Sequence, residues 1–180
     1  MKKVLLAFAI TLSATLSFAQ TNLGTKPTLQ LVRNATLIIE YGGKKILVDP
    51  MLSPKGAIES WAGIQRNPTI DLKMPVEEII KGVDLVMVTH THDDHFDKAA
   101  SNVLDKSIEL IIQPADKGFF EKEGFSNATV LDDNTLWNDI SITRIEAQHG
   151  TGEVLNMMST TSGFVLIAKD QPTDYVVGDA

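Results

Sequence analysis

Apolar and polar positions along the chain fall into short runs of two kinds. Leu37-Ile38-Ile39-Glu40-Tyr41 and Lys45-Ile46-Leu47-Val48 are β-prone, and Gly42-Gly43 between them is a two-residue turn signal. Residues 29–48 are therefore predicted as strands in a hairpin. Residues 83–89 and 108–112 are near-continuous apolar runs, the pattern of strands buried on both faces. Residues 128–131, 140–147, 163–168 and 175–177 are predicted as further strands. Three helices fall between these runs. Residues 75–82 carry Pro75 near the start, acids in the first turn and Lys81-Gly82 at the end. Residues 98–104 follow Asp97, a candidate N-cap. Residues 115–123 are closed by Gly124. Strand, helix, strand, helix, strand in alternation predicts an α/β layered fold. Residues 51–73 lack periodicity and form a long loop, in which Trp61 either walls a pocket or covers the core edge. Residues 151–161 are predicted as a flexible polar segment.

The strand at 83–89 runs straight into His90-Thr91-His92-Asp93-Asp94-His95-Phe96-Asp97, an H-x-H-x-D-H pattern. Three of the four histidines of the chain lie within it. The C-terminal end of a strand is where α/β sheets place ligands. Residues i and i+2 of an extended segment point to the same side, so His90 and His92 can grip one cation. A turn after them lets Asp94 and His95 face a second. Imidazole with carboxylate suits zinc, with iron or manganese as alternatives. The competing reading is a polar loop that happens to contain histidines. Asp97 either caps the next helix or bonds a ligating histidine. Asp49, before Pro50 at the end of the hairpin, is by its position a turn residue.

The residues 89–97, with Asp49-Pro50, Gln148-His149-Gly150 and Gly178-Asp179 in the same order, resemble the metallo-β-lactamase superfamily of metal-dependent hydrolases. The Asp94-His95-Phe96-Asp97 ending is similar to the L-ascorbate-6-phosphate lactonase-like branch. The resemblance runs from about Leu31 to the last residue. It implies an αβ/βα sandwich, of which this chain would be the N-terminal half to two-thirds. It implies one metal held by His90, His92 and His149, and another held by Asp94, His95 and Asp179. Asp49 would support the metal loop from behind. Apart from the resemblance, the segment 151–161, which carries Met157 and Met158, is expected to line one side of the site. Up to two Zn²⁺, or Mn²⁺ or Fe, would generate a hydroxide that attacks an ester, lactone or phosphodiester, with Asp94 orienting the nucleophile. The family's last ligand is a histidine well beyond the Gly-Asp pair, and no histidine follows His149 here. The expectation is a chain truncated after that motif, with a non-catalytic metal-binding remnant as the alternative. Self-association through the uncovered strands 163–168 and 175–177 is then expected.

Composition adds compartment and partners. Lys2-Lys3, an apolar run and Ser17-Phe18-Ala19 read as a secretory signal peptide over residues 1–19, leaving a hydrolase domain over 20–180. The expected location is the bacterial periplasm or outside, with no stable membrane anchor. The absence of cysteine confines the ligands to His and carboxylate. The formal charge of −7 becomes −9 once the two leader lysines are removed. That charge argues against nucleic-acid partners and leaves a small-molecule substrate as the expected one.

Overall fold

In the computed structural model, residues 26–60 and 63–179 are described. The leader at 1–19, the new N-terminus at Gln20, Trp61 and Ala180 lie outside them. The first sheet begins with two antiparallel hairpins, β1 (Thr28–Arg33), β2 (Thr36–Tyr41) and β3 (Lys44–Val48). Gly42 and Gly43 both take positive φ, 58° and 77°, the handedness that a two-residue turn needs to match strand twist. Parallel strands then extend the sheet: β4 (Leu85–Val88), β5 (Glu109–Ile112) and β6 (Ala128–Val130). Their crossovers are α1 (Val76–Ile80), α2 (Lys98–Val103) and α3 (Lys117–Lys122), the last entered through a 3₁₀ turn at Pro114–Asp116. The sheet order is β1-β2-β3-β4-β5-β6.

The second sheet is antiparallel and holds β7 (Asn134–Trp137), β8 (Ile140–Gln148), β9 (Thr160–Ala168) and β10 (Asp174–Val176), in the order β10-β9-β8-β7. Two of its neighbouring elements depart from the sequence reading. β7 pairs with β8 across Asn138-Asp139, in a stretch to which the sequence reading assigned no element. Residues 151–161, expected to be irregular, contain α4 (Glu153–Met158).

Every β4 residue is buried, and its two faces serve different cores. Val86 and Val88 join Leu47, Leu110 and Ile112 against Ile79, Ala100 and Phe120 of the helices. Leu85 and Met87 join Ile39, Ile46 and Val48 against Ile140, Ile142, Phe164 and Leu166 of the second sheet. This is why the strand reads as an unbroken apolar run rather than an alternation. The described layers are thus helices, sheet and sheet, the α/β layering expected from the sequence. The outer face of the second sheet leaves Leu136, Ile145, Ile167, Tyr175 and Val177 exposed. Among the described residues, no helix is long and apolar enough to cross a membrane.

Candidate metal centre

Two sheets contribute to one edge of the sandwich. β4 delivers Thr89 and His90, and the chain then turns, with His95 N and Phe96 N both donating to His92 O at 2.8 Å. β8 and β10 both run antiparallel to β9, so their C-terminal ends emerge together. His149 follows one and Gly178-Asp179 follows the other. Ligand atoms of His90, His92 and His149 lie within 4.8 Å of one another, as do those of His90, His95 and Asp179. His90 Nε2 is 2.9 Å from His92 Nδ1. Asp179 Oδ2 is 3.2 Å from His95 Nε2 and 3.4 Å from His149 Nε2.

Asp94 stands outside both of these groups, and the second gathers His90 with His95 and Asp179. Its half-buried side chain lines the neighbouring cavity with His92, His149 and Asp179. The carboxylate of Asp97 bonds elsewhere than to a histidine. One oxygen accepts from Ala100 N at 2.8 Å as the α2 N-cap, and the other accepts from Ser53 N at 2.7 Å. Its carboxylate therefore ties the loop after β3 to α2. Arg33 clamps the same loop by donating to Met51 O and Ser53 O at 2.6 and 2.9 Å.

Asp49 fills both roles considered for it. It ends β3 at a φ of 44°, and its buried carboxylate gathers the ligand loop. Thr89 N, Thr89 Oγ1 and His95 Nδ1 donate to it at 2.7, 2.7 and 2.8 Å. Holding the Nδ1 proton aims His95 Nε2 at the group, where it can bind a cation once its own proton leaves. Thr161 Oγ1, 3.4 Å from His90 Nδ1, and Thr91, bonded to Asp116, went unnoticed in the sequence.

Burial, followed by the charges of His95, His92 and His149, holds His90 down to about 2. Burial and His149 lower His92 too. Both rings are neutral at pH 7, the form that binds a cation. His95 moves the other way. Burial opposes its charge, but the Asp49 hydrogen bond and the charges of Asp49, Asp179 and Asp94 outweigh burial and raise it to about 9. Four imidazoles and a carboxylate, with His90 and His92 kept neutral and His95 oriented by Asp49, fit a borderline divalent cation.

These directions set how stability of the metal-free chain depends on pH. Unfolded His90 takes a proton below its ordinary 6.5 and folded His90 does not, so stability falls as pH drops from 6.5 towards 2. Folded His95 keeps its proton up to about 9, so its contribution is complete below 6.5 and is lost as pH rises to 9. Thermal unfolding of chelator-treated protein should show both limbs, and His95→Gln should flatten the alkaline one.

Gly178 sets Asp179 in place. A Cβ there would lie 2.6 Å from Ser162 O and 2.7 Å from Thr161 Oγ1, with Thr89 Cβ at 3.0 Å. The nearest of these is backbone of β9 and cannot swing away. Gly178→Ala is expected to push Asp179 out of its group and weaken cation binding there by about 10- to 100-fold, with the three-histidine group spared. Metal analysis after dialysis against graded chelator checks this.

A cavity of about 670 Å³ opens beside the two groups. Its wall holds His92, His149, Asp94 and Asp179, with Ile58, Met157 and Met158 as apolar surface. Glu59 and Asp93 add two more carboxylates, and no lysine or arginine lines it among the described residues.

Residues 28–171 match the model of a family described as the β-lactamase superfamily domain. The UPF0173 protein YddR of Bacillus subtilis is 39% identical over 154 residues, covering 82% of this chain and 61% of that protein. A UPF0173 metal-dependent hydrolase of Azorhizobium caulinodans is 25% identical over 156 residues, covering 81% and 60%. Among solved structures, a possible metal-dependent hydrolase from Veillonella parvula superposes with a TM-score of 0.82 at 32% identity, over 87% of this chain and 64% of that one. An isothiocyanate hydrolase from Delia radicum gut bacteria gives 0.79 at 36% identity, over 84% and 62%. The chain spans about three fifths of the length of the curated relatives it matches.

Proposed function

Because this chain belongs to the β-lactamase superfamily, among relatives described as UPF0173 metal-dependent hydrolases, we propose that it serves a metal-dependent hydrolase that cleaves a small uncharged electrophile. The observation that carries the reading is the convergence of His90, His92 and His149 from two sheets, with His92 and His149 lining a cavity. Zinc is the cation the donor set suits best, with manganese or iron as alternatives. A cation held there supplies a water of lowered pKa and charge to stabilise a developing oxyanion.

The protein side chains do the rest. His90, His92 and His149 would hold one cation. His90, His95 and Asp179 would approach the other, with Asp49 fixing the His95 tautomer. Asp94, on the cavity wall, is placed to orient the nucleophile and accept its proton. Ile58, Met157 and Met158 offer the apolar part of a substrate a surface to pack against. Four carboxylates and no basic group in the wall disfavour an anionic phosphodiester and favour a lactone, an ester or an isothiocyanate. The isothiocyanate hydrolase relative supports the last of these. None of the relatives named above is described as a lactonase, so that finer branch rests on the Asp94-His95-Phe96-Asp97 motif alone. The leader read in residues 1–19 would place the mature chain, beginning at Gln20, in the periplasm. N-terminal sequencing of exported protein tests that placement.

The test of function is metal analysis alongside hydrolysis of a lactone, a carboxylic ester, an isothiocyanate and a phosphodiester. Bound cation with turnover of an uncharged substrate is expected. Bound cation without any turnover would favour the non-catalytic remnant. Absence of bound cation would overturn the reading.

A further inference from the structure

Asp116 is a buried carboxylate that belongs to neither ligand group. It sits in the 3₁₀ turn between β5 and α3. One oxygen accepts from Thr91 Oγ1 at 2.8 Å, and the other accepts from Gln113 Nε2 at 3.0 Å. The same Gln113 nitrogen donates to Thr160 O at 2.8 Å, and Gln113 Oε1 accepts from Ser162 Oγ at 2.9 Å. The line of bonds begins in the ligand loop of the first sheet and ends on β9 of the second. β9 lies between the two strands that carry His149 and Asp179.

Thr91 is the residue between His90 and His92. On an extended segment the side chains of i and i+2 share one side and that of i+1 takes the other. Anchoring the Thr91 hydroxyl therefore fixes the backbone that aims both rings. A buried carboxylate is costly to desolvate and is tolerated when its oxygens are bonded, as both are here. Thr91 supplies one of those bonds from the ligand loop, and Gln113 supplies the other from the end of β5.

We propose that Asp116, acting through Thr91 and Gln113, is a positioning residue that sets the aim of His92 towards His149 across the gap between the sheets. This rests on reading the three histidines as a metal site. The alternative is a tie that holds the sheets together without affecting the ligands. Thr91→Val removes the hydroxyl and keeps the shape, Thr91→Ser keeps the hydroxyl, and Asp116→Asn sets an amide donor against the Gln113 donor.

The readouts are Co²⁺ affinity by titration, the visible spectrum of the cobalt form, and thermal unfolding of chelator-treated protein. Thr91→Val and Asp116→Asn are expected to weaken Co²⁺ binding by about 10- to 100-fold and alter its spectrum. Their metal-free unfolding temperatures should fall by no more than a few degrees, the loss expected from one unmade buried hydrogen bond. Thr91→Ser should restore affinity to within a few-fold. Unaltered affinity and spectrum in Thr91→Val would overturn the proposal, and so would unfolding of the metal-free variants, which marks a purely structural tie. If the unaltered protein binds no Co²⁺, the metal reading fails first, a result distinct from either.

Discussion

His90→Ala is expected to empty both ligand groups at once and to lower hydrolysis by well over a hundredfold. His90 is the residue the two groups share, so a single truncation removes a donor from each. Loss of a supporting residue around a metal site typically costs about 10- to 100-fold, and loss of a ligand common to both groups should exceed that. His149→Ala provides the contrast. It removes a donor from the three-histidine group alone and should leave the His90, His95 and Asp179 group able to bind. Metal content by elemental analysis, measured with turnover for both variants, separates them. A His90→Ala protein that keeps one tightly bound cation would show that the ligands are shared differently from the pattern seen here.

Phe96→Ala is expected to give the largest stability loss of a single truncation near the site. Phe96 is buried and lies 4.9 Å from the Phe120 ring and 6.0 Å from those of Phe119 and Phe125. Its neighbours are fixed by helix and sheet, so the space left behind would not close. Truncating a packed phenylalanine costs about 3–5 kcal/mol, which lowers the unfolding temperature of a chain of this size by roughly 10 °C. The site would suffer as well, because Phe96 is the anchor that follows His95 directly and presses the ligand loop into the helical core. Urea denaturation of Phe96→Ala beside Phe96→Leu tests the argument. A loss below about 1 kcal/mol for alanine would mean that the aromatic group does not anchor the loop.

Local chemistry explains what the sequence disclosed. The ligand motif is contiguous, and the Gly42-Gly43 turn is written in the residue type its backbone requires. The strand β7 was missed because its turn uses Asn138 and Asp139, with φ of 46° and 65°, in place of the glycine that usually marks such a hairpin. The helix α4 was missed because six residues are too few for its apolar positions, Val154, Leu155, Met157 and Met158, to mark a helical period. The support for the ligand loop was invisible for another reason. Thr91 reaches Asp116 across 25 positions, Gln113 reaches Thr160 across 47, and His90 meets Thr161 across 71. Only the folded sheets bring those pairs together.

The ligands divide between the two sheets, with His90, His92 and His95 on one and His149 and Asp179 on the other. Cation occupancy would therefore work as a rivet between the layers, and affinity and mechanical cohesion would become one quantity. A cation present at a thousand times its dissociation constant would add about 4 kcal/mol to folding. In the metal-free chain the β8 and β10 ends should open before the core does, and amide hydrogen exchange should be fastest along that rim. Scarcity of the cation would then loosen the rim as well as silence any chemistry there, and a chain in that state should be the one most exposed to proteolysis.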